Sequence, residues 1–144
     1  MTREHCIQFA VKNPVCTVAT VEGDAPKARI FMLWRANDEG FYFSTRTNQR
    51  TYSQLKSNPK IELCFYKQGV DDNDLGTMLR VAGSAEFVDD ISLKGQLLAE
   101  WPFLTQTGIT GPDDPTLILF KIAAGSMEYW TSAEGAEKID VAAL

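Results

Sequence analysis

The sequence predicts a mostly β protein with short helices, folded as a small closed or split barrel. Three observations carry that expectation. About six or seven short stretches are rich in β-branched and aromatic residues. Gly, Pro, Asn and Asp punctuate them at hairpin spacing. Helical periodicity appears only in brief segments.

The first of those segments is residues 2–13, where Cys6, Phe9, Ala10 and Asn13 fall at helical spacing, with Thr2 as cap and Pro14 as stop. Residues 14–20 then read as a strand. Val-Glu-Gly-Asp-Ala-Pro at 21–26 supplies a turn, and residues 27–36 a second strand. Asn37-Asp38-Glu39-Gly40 turns the chain into a third, at 41–44. Loops this short imply an antiparallel three-stranded meander. A helix from Thr47 or Asn48 carries Tyr52 and Leu55 on one face and stops at Asn58-Pro59. Strands at 61–66 and 78–88 flank an acidic loop at 67–76. Asp89 or Asp90 caps a helix with Leu93, Leu97 and Trp101 at i, i+4, i+8. Residues 102–115 read as loop, and 116–124 and 126–131 as two strands. There is no repeat, low-complexity tract or linker, so residues 1–144 are expected to form one domain.

Composition narrows the function. With 44% hydrophobic and 23% charged residues the chain is globular rather than disordered. A net charge of −5 argues against nucleic-acid and anionic-membrane partners, which need a basic field. No apolar run is long enough to span a bilayer, and the charged, amphipathic first 13 residues do not resemble a signal peptide. A cytoplasmic protein with reduced thiols at Cys6, Cys16 and Cys64 is the expectation. One histidine, His5, cannot build a Cys/His zinc site. The acidic loop beginning at Asp71 fails as a calcium loop, because Leu75 and Ala82 stand where ligands are needed. No metal is expected.

The informative stretch is 41–61, which contains no Asp or Glu in an otherwise acidic chain but holds Arg46, Arg50, Lys56 and Lys60. All eight residues from Ser44 to Thr51, including Gln49, have polar side chains able to donate hydrogen bonds. They lie where a strand becomes a helix, whose first N–H groups and dipole favour an anion. Arg29 joins them if its strand pairs with 41–44. A phosphate monoester suits such a cluster, although basic patches also occur as plain solvated surface. Residues 29–34, apolar throughout after Arg29, can offer backbone groups to a flat heterocycle or simply fill a core.

Taken in order, Asn13-Pro14-Val15-x-Thr17-Val18-Ala19-Thr20, Pro26-x-x-Arg29, Gly40 through Thr45, Leu55-Lys56-Ser57-Asn58-Pro59, the run 79–86 and Glu128-Tyr129-Trp130 resemble the pyridoxamine 5′-phosphate oxidase-like FMN-binding split barrels. The resemblance implies an FMN cofactor and a homodimer with two interfacial sites. It assigns Arg29 and Arg50 to the phosphate and the backbone of Ile30, Phe31 and Met32 to the flavin ring. Ser44, Thr45, Gln49 and Thr51 fall at further cofactor positions, and Trp130 at one that reaches the flavin from the partner subunit. There are departures. Thr51 and Met78 replace a lysine and a glutamine of the oxidases. Residues 131–144 contain no Arg or His, unlike the oxidases' substrate-binding tail, which argues against an authentic pyridoxamine phosphate oxidase. The implied activity is an FMN-dependent oxidoreductase of unassigned substrate, with NADH or NADPH as candidate electron donor. A non-catalytic flavin-binding stress, storage or sensor protein is the alternative, and haem or a deazaflavin the rival ligand.

Overall fold

The computed structural model describes residues 1–141. In chain order it contains α1 (Arg3–Lys12), β1 (Val15–Glu22), β2 (Ala25–Met32), β3 (Arg35–Asn37), β4 (Gly40–Arg46), α2 (Arg50–Ser57), β5 (Lys60–Lys67) and β6 (Thr77–Phe87). Then follow α3 (Ile91–Glu100), a 3-10 helix (Pro102–Thr107), β7 (Leu117–Thr131) and β8 (Gly135–Ile139). The strands form one antiparallel sheet in the order β2-β1-β5-β6-β7-β4-β3, with β8 added to β7. None of the described helices is long and apolar enough to cross a membrane.

The sheet curls until its two ends meet. Leu33 N–H donates to Pro14 O at 2.8 Å, while Trp34 N–H donates to Tyr42 O at 2.9 Å. Adjacent residues thus bond to opposite ends of the sheet, which splits the expected 27–36 strand into β2 and β3. The expected meander forms as two antiparallel hairpins, β1–β2 and β3–β4, with its middle strand broken between them. Strand β2 pairs with β1 alone, and β4 pairs with β3 and the distant β7. Period-2 alternation fills the interior with Val18 from β1, Phe41 and Phe43 from β4, Leu63 and Phe65 from β5, Leu79 and Val81 from β6 and Phe120 and Ile122 from β7. Each such side chain contributes about 1.5–3 kcal/mol by leaving water. Helix α1 closes one side of this core with Cys6, Ile7 and Ala10. A second apolar layer lies outside the barrel, where Leu97 and Leu98 of α3 meet Trp34, Tyr42, Leu117 and Leu119.

Two further expectations change. Residues 116–124 and 126–131 form one strand, β7. Ala82 faces Ser126 and Gly83 faces Ala124, so Gly125 is an extra, bulged residue rather than a break. The 102–115 loop opens with a 3-10 helix, and a final hairpin strand, β8, follows the turn before Gly135. The apolar run 30–34 divides: Leu33 and Trp34 are buried and Phe31 packs inward against Phe43 and Phe120, whereas Ile30 is 64% and Met32 49% exposed.

Candidate functional site

The strand-to-helix junction is built by β4 and α2. Gln49 N–H donates to Arg46 O at 3.0 Å, turning the chain, and Gln49 then occupies the cap position of α2. Its side chain does not cap. Instead Gln49 Oε1 accepts from Thr45 Oγ1 at 3.0 Å. The first turn of α2 therefore has neither a side-chain cap nor an acidic residue, and its positive dipole end is left uncompensated.

Against this helix start lies β2. Although β2 and β4 are not paired, the curl of the sheet brings β2 to α2, and one cleft of about 480 Å³ opens between them. Its lining joins Arg29, Ile30 and Phe31 to Gln49, Arg50 and Thr51, with Lys27, Ala28 and Gln54 completing it. No carboxylate lines it. The volume falls in the range of small-molecule sites. Thr51, which the resemblance sets against the oxidases' lysine, is only 4% exposed. Arg50, the first residue of α2, is exposed.

Arg29 is anchored from below. One guanidinium nitrogen, Nη1, donates to Thr20 Oγ1 at 2.8 Å and to Val18 O at 3.3 Å, and Nη2 donates to Gln54 Oε1. Partial burial lowers its pKa from the ordinary arginine value, because the charged form loses hydration. Thr20 and Gln54, 2% and 4% exposed, were not legible as site residues. A threonine in a strand and a glutamine in Ser53-Gln54-Leu55-Lys56 look like ordinary surface polarity. Only the i, i+4 spacing from Arg50 to Gln54 signals a shared face.

The remaining expected residues lie elsewhere. Arg46 turns away from the cleft, donating to Thr107 O at 2.7 Å and Thr116 Oγ1 at 3.3 Å. It supports the 3-10 helix instead, so the basic cluster is Arg29 and Arg50 with Lys27. Ser44, Thr45 and Met32 are not part of the lining. Thr45 acts at one remove, through Gln49. Trp130 sits on β7 opposite Met78 and Ala136, also outside the cleft of its own chain. Two positions singled out separately, Trp130 and the departure Met78, are thus cross-strand neighbours.

The family model described as pyridoxamine 5′-phosphate oxidase matches residues 2–131. A curated pyridoxine/pyridoxamine 5′-phosphate oxidase from Ehrlichia ruminantium is 34% identical over 77 residues, covering 52% of this chain and 37% of that protein. The chain spans under two fifths of the length of the curated relatives from this organism and from Myxococcus xanthus, 37% and 38%. Among solved structures, a NimC/NimA family protein from Clostridium acetobutylicum superposes with a TM-score of 0.77 at 21% identity, covering 94% of this chain and 89% of that one. A heme-binding protein from Mycobacterium smegmatis gives 0.76 at 13% identity, covering 96% and 57%. At such identities these two neighbours speak for the fold alone, which is the split barrel. Matched along nearly its whole length and folded accordingly, this chain belongs to the pyridoxamine 5′-phosphate oxidase family.

Proposed function

We propose that the cleft between β2 and α2 holds FMN and that the protein is a cytoplasmic, homodimeric FMN-dependent oxidoreductase. One observation carries this reading: Arg29, Arg50 and an uncapped helix start converge on a cleft without a carboxylate, in an otherwise acidic chain. Two guanidinium groups and free helical N–H groups fit a phosphate monoester. Beside them β2 contributes the partly buried Phe31 and the exposed Ile30 to the lining, an apolar border suited to a flat ring. Trp130 is assigned to the site of the partner subunit.

When bound, the flavin supplies hydride- and electron-transfer chemistry. The chain's part is to fix the phosphate by charge, align the ring along β2 and keep water from one ring face. Haem is the less favoured ligand. The single histidine, His5, is exposed on α1 and its Nδ1 lies 2.8 Å from Thr2 Oγ1, far in sequence from the cleft.

Titration of the purified protein into FMN should quench flavin fluorescence and saturate at one flavin per chain. Absence of saturable quenching at high-micromolar protein, with haem or a deazaflavin binding in the same preparation, would overturn the reading. Turnover of NADH or NADPH with an acceptor separates an enzyme from a non-catalytic flavin binder.

A further inference from the structure

Gln54 sits one turn below Arg50 on the buried face of α2, and its amide joins three groups. Oε1 accepts from Arg29 Nη2 and, at 2.6 Å, from Thr20 Oγ1. Nε2 donates to Glu22 Oε2 at 2.7 Å. The partners dictate the amide's orientation, since two donors face the oxygen and a carboxylate faces the nitrogen. A flipped amide would oppose donor to donor and oxygen to oxygen.

Every recorded acceptor of the Arg29 guanidinium is neutral: the Thr20 hydroxyl, the Val18 carbonyl and the Gln54 amide oxygen. None of the ion pairs recorded among the described residues includes Arg29. The nearby acid, Glu22, is connected to Arg29 only through the Gln54 amide. The guanidinium is thus oriented without being neutralised.

We propose that Gln54 is a positioning residue for Arg29. It fixes the arginine head toward the cleft with a neutral acceptor and keeps Glu22 one hydrogen bond away, so that the full positive charge is reserved for an anionic group. The inference rests on the phosphate reading of the cleft given above. Ligand selectivity between phosphorylated and unphosphorylated flavin is its readout. Glutamate at position 54 would still accept from Arg29 and Thr20, with the exposed Glu22 turning away from its second oxygen, but it would neutralise the arginine and place a carboxylate beneath the phosphate. Alanine would remove the acceptor of Nη2 and leave the arginine head held only through Nη1, by Thr20 and Val18.

Fluorescence titration with FMN and riboflavin tests this on wild type, Gln54→Glu, Gln54→Ala and Arg29→Ala. Gln54→Glu should lose FMN affinity on the order of tenfold to a hundredfold, with riboflavin affinity unchanged. Gln54→Ala should shift the ratio in the same direction by less. A merely structural glutamine would lower the melting temperature and both affinities together, leaving the ratio fixed. If the ratio stays at the wild-type value in Gln54→Glu yet collapses in Arg29→Ala, the positioning role is wrong and the phosphate reading stands. A ratio unmoved even in Arg29→Ala removes both.

Should the Gln54 variants not fold, Glu22→Ala and Glu22→Gln decide the matter from the exposed end of the chain of bonds. Both remove the same charge, but only glutamine keeps an acceptor for Gln54 Nε2. FMN should bind several-fold more weakly to Glu22→Ala than to Glu22→Gln, with equal riboflavin affinity. Equal FMN affinities would overturn the proposal.

Discussion

Removing Arg50 separates the phosphate from the ring. Arg50 is exposed at the first position of α2, and its recorded hydrogen bond uses the backbone carbonyl, which accepts from Ser53 Oγ at 3.0 Å. The guanidinium takes part in none of the ion pairs recorded among the described residues. Arg50→Ala should therefore change stability by no more than about 0.5 kcal/mol, as exposed substitutions do. Toward FMN the loss is one charge-assisted interaction, about 1.5–3 kcal/mol, or roughly ten- to a hundredfold in Kd. Riboflavin, which presents the same ring without phosphate, should bind wild type and variant alike. Arg50→Lys should recover only part of the loss, because a point charge lacks the guanidinium fork. Isothermal calorimetry with both ligands on the three proteins measures all of this. Equal losses for FMN and riboflavin, or a fall in the unfolding midpoint that matches the lost affinity, would mean that Arg50 supports the fold rather than the phosphate.

Other consequences are independent of ligand. Gly40 has φ of 144°, and a Cβ there would meet Ile122 O at 2.6 Å, so Gly40→Ala should cost about 1–3 kcal/mol; an unchanged urea midpoint would refute this. Asp114 accepts from the N–H and hydroxyl of both Thr110 and Thr116, which holds its carboxyl well below the usual carboxylate range. A depressed pKa gives stability that is present above the unfolded value, about pH 4, and is lost as pH falls toward the folded one. Asp114→Asn should therefore flatten the acid limb of a pH–stability profile, and an unaltered limb would contradict that. Burial pushes the Cys16 thiol up to about 12 and the Cys6 thiol up to about 11; it raises Cys64 as well, but Cys64 alone of the three is partly exposed. Mass spectrometry after alkylation at neutral pH should find Cys64 labelled first and Cys16 only on unfolding. Uniform labelling of the native protein would refute the ordering.

Much of this molecule was legible locally. The strands at β1, β4 and β5 declare themselves because alternate residues such as Cys16 and Val18, or Leu63 and Phe65, must face one interior. The junction after β4 was legible because polarity, positive charge and the absence of carboxylates coincide there. Pairing was not. Short loops between residues 14 and 46 imply neighbours, yet the Leu33–Trp34 step sends β2 and β3 to opposite ends of the sheet. Gly125 reads as a strand end when taken alone, and becomes a bulge only when β6 continues alongside it. Arg46 and Arg50 are indistinguishable by composition. They part company because one ends a strand facing the 3-10 helix and the other begins a helix facing β2.

Strand β7 also sets the order in which the molecule can be assembled. It pairs with β6, β4 and β8, so it is the spine on which much of the barrel hangs, yet it lies late in the chain. The β1–β2 hairpin closes over a tight turn and β5–β6 over the acidic loop, both between sequence neighbours and within microseconds on general grounds. Strand β4 must wait for residues far downstream before Phe41 and Phe43 find their cover. Contacts of such long sequence separation slow folding. During synthesis, the emerging chain carries the edges of β4 and β6 in search of a partner until β7 leaves the ribosome, the interval in which a chaperone has most to protect.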